Sequence, residues 1–137
     1  MTLLVDTSVW SLALRRDTVA PSPEVDCLKN ALQTGEPVVT TGLVLQELLQ
    51  GFSGARDRNQ IIDRFSALPL ISPDRRDHID AAALRNACRR AGVQVGTIDA
   101  VLAQLCIRHG LTMLTTDHDF STVAKQTPLR LWKPSSR

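Results

Sequence analysis

Five short apolar or β-branched runs alternate with longer segments of helical period along this chain, and that alternation restricts its fold more than any other feature. The runs cover residues 2–5, 37–40, 68–71, 112–115 and 129–132. Between them, a helical stretch follows Asp6-Thr7-Ser8. A second helix is expected over 22–34, with Pro23 in its first turn and Gly35 as its stop. Residues 43–49 form the next apolar-periodic segment, ending at Gly51, and 56–67 an amphipathic one. An arginine-rich helix over 74–91 closes at Gly92, a helix capped by Thr97 runs to His109 and ends at Gly110, and a short one covers 120–125. Strands joined through helices of this length pair in parallel, because a parallel neighbour can be reached only by a long crossover. The expected architecture is α/β: a three-layer α/β/α sandwich with a central parallel sheet, formed as one domain over residues 1–137. In such folds the binding site lies outside the carboxyl ends of the strands.

Composition removes several alternatives. At 137 residues a chain can bury about two thirds of the surface it exposes when unfolded, so it folds without disulfide or structural metal. Its hydrophobic content of 43% is too high for a disordered chain, and no apolar run approaches the roughly 18 residues of a membrane span. Residues 1–10 carry no basic stretch and already place an aspartate at position 6, unlike a secretory signal. A cytoplasmic protein away from membranes is expected. Cys27, Cys88 and Cys106 form no CxxC or Cys/His pattern and read as reduced core thiols.

Five acids can be placed against the expected sheet. Asp6 follows the first strand, and Asp117 and Asp119 follow the fourth, so all three fall at its carboxyl edge. Glu47 lies three residues after Val44 and four after Leu43, bordering an apolar stripe. Asp99 precedes Leu102, Ala103 and Cys106 at i+3, i+4 and i+7, in line with its helix's buried face. Each also has a local explanation: a turn start for Asp6, a favourable dipole position for Asp99, an N-cap for Asp117, half-exposure for Glu47. Acids collected at one sheet edge repel unless a cation sits among them, and all-oxygen ligands favour Mg²⁺ or Mn²⁺ over zinc. Such a site suits metal-assisted hydrolysis of a phosphodiester.

The net charge of +2 does not by itself name nucleic acid as a partner. With four carboxylates set aside as ligands, however, sixteen basic residues face ten acidic ones. Arginine dominates, at Arg15, Arg16, Arg56, Arg58, Arg64, Arg75, Arg76, Arg85, Arg89 and Arg90, and its planar fork suits phosphate. Any one of these also fits a solvated helix face. The arginine-rich stretch from Arg56 to Arg90 is expected to form an RNA-facing or antitoxin-facing rim, with Arg75, Arg76, Arg89 and Arg90 as its named members.

The run Asp6-Thr7-Ser8, the segment Val44-Leu45-Gln46-Glu47-Leu48, the helix opening Ile98-Asp99-Ala100 and the run Thr115-Thr116-Asp117-His118-Asp119-Phe120 together resemble the PIN-domain nucleases. Within them the chain looks most like the VapC toxins, over essentially its whole length. The resemblance implies an endoribonuclease in which Asp6, Glu47, Asp99 and Asp117 are catalytic and hold one or two Mg²⁺ or Mn²⁺ ions, with Asp119 supporting a second metal or a water. Thr7, Ser8 and Thr115 would be hydroxyls that orient the carboxylates. A metal-activated water would attack phosphorus in line, leaving a 5′-phosphate and a 3′-hydroxyl. As the toxin of a type II toxin–antitoxin module, the chain would take RNA as substrate, a small VapB-like antitoxin as partner, and a homodimer as its building block. An alternative role on the same fold is a housekeeping PIN nuclease of RNA maturation. A non-catalytic receiver-like signalling module would carry paired acids after the first strand and a lysine after a late one. This chain has a lone Asp6 there and no lysine between Lys29 and Lys125. A haloacid dehalogenase-type phosphatase would want aspartate where Ser8 stands.

Overall fold

Leu3, Leu4 and Val5 are all fully buried, as expected of a strand covered on both faces, and they form β1 (Leu3–Val5). The computed structural model describes residues 1–15 and 21–135; Arg16 lies outside them. Parallel partners flank β1 on both sides. Leu3 and Leu4 register with Val38 and Val39 of β2 (Val38–Thr41), and Leu3, Leu4 and Val5 with Thr112, Met113 and Leu114 of β4 (Thr112–Leu114). The short strands β3 (Leu70–Ile71) and β5 (Arg130–Leu131) complete a five-stranded, all-parallel sheet in the order β3-β2-β1-β4-β5.

Seven helices join these strands among the described residues: α1 (Thr7–Leu14), α2 (Pro23–Thr34), α3 (Gly42–Gly51), α4 (Ala55–Ser66), α5 (Arg75–Arg90), α6 (Thr97–His109) and α7 (Asp119–Gln126). The chain winds outward from β1 to β3 through α1 to α4, then crosses back through α5 and α6 to β4 and continues through α7 to β5. Right-handed crossovers in opposite directions put the first four helices on one face and the last three on the other. Packing agrees, since α1 meets α2 and α3, α3 meets α4, and α5 meets α6 and α7. The result is the three-layer α/β/α sandwich. Its core is one continuous cluster in which Trp10 of α1 stacks at 51° on Phe65 of α4, ring centres 4.8 Å apart.

Element bounds differ from the sequence expectation by one or two residues, with local causes. Thr41 remains in β2 opposite Ile71 while its hydroxyl accepts the Val44 N–H at 3.2 Å, so one residue both ends a strand and caps α3. Thr115 leaves β4 because its hydroxyl turns toward Asp6. Gly96, not Thr97, is the N-cap of α6, and no side chain caps that helix. Gly110 ends α6 at φ 64°, a conformation that glycine adopts without steric cost. Cys88 and Cys106 are buried free thiols, and Cys27 is half-buried. Among the described residues, no helix is long and apolar enough to cross a membrane.

Candidate active site

Chain direction reverses beside β1: the connection leaving β1 runs to β2 on one side, and the one leaving β4 runs to β5 on the other. The helices that follow β1 and β4 therefore depart to opposite faces, opening a crevice at the carboxyl ends of these two strands. Asp6 lies at the end of β1, and 115–119 follow β4.

Asp6 is 6% exposed and serves as the N-cap of α1, yet it engages through one oxygen only. Its Oδ2 accepts from Thr115 Oγ1 at 2.9 Å, from Ser8 Oγ at 2.8 Å and from the Ser8 backbone N–H at 3.4 Å. Oδ1 takes no hydrogen bond from the described residues. The hydroxyls that hold Asp6 are themselves held: Ser8 Oγ accepts from Thr116 N at 3.1 Å, and Thr115 Oγ1 accepts from Asp117 N at 2.9 Å. Thr7, at the first position of α1, donates its hydroxyl to Glu47 Oε1 on α3 at 3.0 Å. All three hydroxyls singled out in the sequence thus donate to carboxylates, and two of these bonds tie together segments 40 and 109 residues apart.

The remaining acids face the same crevice. Asp117 Oδ1 accepts the Asp119 N–H at 2.9 Å, which orients the Asp117 side chain, although His118 and not Asp117 is the N-cap of α7 and no side chain caps that helix. Asp99, half-buried in the first turn of α6, has its carboxyl pushed up to about 6. Burial is the largest cause, followed by the charges of Asp6, Asp117, Glu47 and Asp119 in that order. Every acid proposed from sequence is therefore close enough to be felt at Asp99. Cys106, two turns along the same helix face, is pushed up to about 12 by burial and then by Asp6. No lysine or arginine among the described residues forms a salt bridge with any of the five acids. Nor is any group of three or more His, Cys, Asp or Glu side chains among these residues already gathered to hold an ion.

A sequence model of the PIN domain matches residues 3–126. The VapC ribonuclease Mb1587 of Mycobacterium bovis is 30% identical over 132 residues, covering 93% of this chain and 96% of its relative. This chain is a PIN domain of the VapC family. Ribonuclease VapC11 of Mycobacterium tuberculosis is similar to the same degree, 30% over the same shares of the two chains. Among solved structures, VapBC2 from Rickettsia felis, bound to a DNA fragment from its promoter, shares the fold at TM-score 0.73. That likeness covers 97% of this chain and 100% of the other at 21% identity.

The arginines of this PIN domain are less concentrated than the sequence suggested. Arg75 and Arg76 stand at one end of α5 and Arg89 and Arg90 at the other, about 20 Å apart at 1.5 Å per residue. Arg76 is paired with Asp80 through its Nε at 3.1 Å. The Arg89 end shares a depression with a site acid, in a groove that also contains Asp119. Arg85, which falls within the arginine-rich stretch but is not one of the four rim residues named from it, also lies in that groove, one helical turn from Arg89. A larger depression of about 730 Å³ along the β5 edge holds none of the five acids, and its size does not make it the site. His118 is exposed and lines a small groove beside Asp117 with Trp132 and Lys133.

Proposed function

We propose that this chain is the toxin of a type II toxin–antitoxin module, a Mg²⁺- or Mn²⁺-dependent endoribonuclease that acts in the cytoplasm, with residues 1–137 forming one PIN domain. The observation that carries this reading is the set of five acids without a cationic partner among the described residues, in which burial and the other four raise the carboxyl of Asp99 to about 6. Without a cation, such a cluster works against folding; a divalent ion among its oxygens removes both the repulsion and the unmet ligand capacity. Asp6, Glu47, Asp99 and Asp117 would hold the ion, with Asp119 as an outer ligand. Asp6 offers Oδ1, because three donors occupy Oδ2. Bound there, a divalent ion supplies charge stabilisation and nucleophile activation for phosphodiester hydrolysis.

The chain's own residues set the rest. Thr7 fixes Glu47, Ser8 and Thr115 fix Asp6, and the backbone of Asp119 fixes Asp117, so that the acids keep their positions while a substrate is exchanged. Exposed arginine on α5 supplies the anion affinity that the acid cluster lacks. Arg75, Arg76, Arg89 and Arg90 are read as an RNA-facing or antitoxin-facing rim, the Arg89 end being the one that shares a groove with Asp119. The partner is a small VapB-like antitoxin, supported by likeness to a VapBC2 complex, and the toxin is read as a homodimer.

RNA cleavage by the purified chain with Mg²⁺, with EDTA, and with Asp6→Asn or Asp99→Asn tests the mechanism. Cleavage that needs the ion and both acids is expected. Cleavage in EDTA, or full activity in both variants, would reject it.

A further inference from the structure

Arg85 and Arg89 stand one turn apart on the exposed side of α5 and form one wall of a groove of about 440 Å³. The turn at 93–96 and Asp119 form the rest. Like charges at this spacing on a helix repel, and neither arginine has an acidic partner among the described residues. Both are nevertheless held in place. Arg85 Nε donates to the Val95 carbonyl at 2.8 Å, and Arg89 Nη2 donates to Asn86 Oδ1 at 2.8 Å.

The opposite wall is equally well fixed. Gly92 turns the chain at φ 80°, a conformation strained for other residues, and the next residue, Val93, returns its N–H to the Cys88 carbonyl at 2.8 Å. The Val95 side chain is buried, which anchors the carbonyl that accepts Arg85. Arg85 thus spends its Nε on the turn and keeps both terminal amines for an external partner. This arrangement makes a bidentate anion site rather than a mobile surface arginine.

The groove adjoins the acids at two points. Asp119 belongs to both, and a Cβ added at Gly96 would lie 3.9 Å from Asp99 Oδ2. The groove and the acid crevice are therefore contiguous, so that one extended chain can reach both. The groove's guanidiniums, Gln94 and Asp119 offer little apolar surface to a peptide side chain. A polymer with one anion per residue, by contrast, brings its next phosphate to the arginines while one phosphate sits at the acids. We propose that Arg85 and Arg89 form a subsite for an RNA backbone phosphate adjoining the one that is cut; this rests on the nuclease reading above.

Binding of a fluorescent single-stranded RNA of mixed sequence, followed by anisotropy in EDTA over a series of salt concentrations, tests the subsite separately from catalysis. Arg85→Gln and Arg89→Gln should each weaken binding about three- to tenfold and lower the slope of log affinity against log salt by about 0.7. Lys29→Gln, an equal loss of charge on α2 in the opposite helical layer, should change neither. Arg85→Lys keeps the charge but not the fork and should fall between Arg85→Gln and the native chain. If circular dichroism shows that Arg85→Gln does not fold, Arg89→Gln carries the test, since among the described residues the Arg89 side chain bonds only to Asn86. Affinity and slope in Arg89→Gln matching those of Lys29→Gln would overturn the subsite. So would arginine variants that bind RNA normally but no longer co-elute with the co-expressed antitoxin, which would assign the groove to protein. Mg²⁺-dependent cleavage by the native chain and its loss in Asp6→Asn keep the nuclease reading standing in either case. A native chain that neither binds nor cuts RNA removes both.

Discussion

Two acids, each on a helix of the same layer, are treated in opposite ways. Asp77 on α5 is fully buried and neutralised within the chain. Its Oδ2 accepts from the Asp74 N–H at 2.9 Å and pairs with Arg108 of α6, and its own N–H returns to Asp74 Oδ1 at 2.8 Å, completing a capping box. Asp99 on α6 is only half-buried, meets four other acids and no cation, and has its carboxyl raised to about 6. The first arrangement locks α5 onto α6. The second leaves an electrostatic cost that the chain alone does not meet, and such costs collect at functional sites. An acid's burial therefore says less about its role than whether the fold supplies its counter-charge.

The comparison breaks first on catalysis. Asp6→Asn or Asp99→Asn should lower RNA cleavage at least about a hundredfold, since removing a ligand forfeits several kcal/mol of transition-state stabilisation, and should leave the folded state intact. Single-turnover cleavage alongside thermal melting checks this. An unfolded variant would place these acids with Asp77.

Asp77→Ala should do the reverse. Loss of the Arg108 pair and of the Asp74 N–H acceptor should destabilise by about 2–3 kcal/mol. This is below the usual figure for a buried pair because Arg108 is 43% exposed and regains water. Urea denaturation would measure it, and cleavage per folded molecule should stay near the native level. Thr115→Val removes the donor to Asp6 Oδ2 and should weaken Mg²⁺ affinity about tenfold, whereas Thr115→Ser should retain it. Calorimetric titration of Mg²⁺ separates the two.

The smallest effect concerns pH. Asp99 has a raised carboxyl pKa in the folded, metal-free protein, so the folded state binds more protons than the unfolded one between about 4 and 6. Its contribution is fully present at lower pH and is lost as pH rises through about 6. Asp99→Asn should therefore gain stability relative to the native chain between pH 4.5 and 7.5, by about 1 kcal/mol once solvent screening at this half-exposed group is allowed for. Urea midpoints at the two pH values measure it. A constant difference would show that the neighbouring acids do not act on Asp99 in solution.

How much could be read in advance depended on the range of the interactions. Helix type and sheet direction were legible because they follow from periodicity and connection length, which are local. Strand ends were less so: Thr41 and Thr115 are placed by hydroxyl partners that a pattern of apolar residues does not contain. Among the acids, Asp6 and Asp117 were marked by position after a strand, and Glu47 and Asp99 by helical register. The Asp74-x-x-Asp77 spacing was also a visible capping signal, but its counter-ion Arg108 lies 31 residues from Asp77. The i,i+4 spacing of Arg85 and Arg89 was visible as well. That Arg85 is aimed by the Val95 carbonyl depends on a turn ten residues away.

By itself, the sequence determined that this chain folds as a parallel α/β protein with its acids at the carboxyl edge, because hydrophobic period and strand-to-acid spacing act over a few residues. The tertiary structure alone decided which acids remain without a counter-charge. It set Asp77 against Arg108 and left Asp6, Glu47, Asp99, Asp117 and Asp119 to face one another. Electrostatic neutralisation depends on distance through space, and residues far apart in the chain acquire that distance only when the layers close.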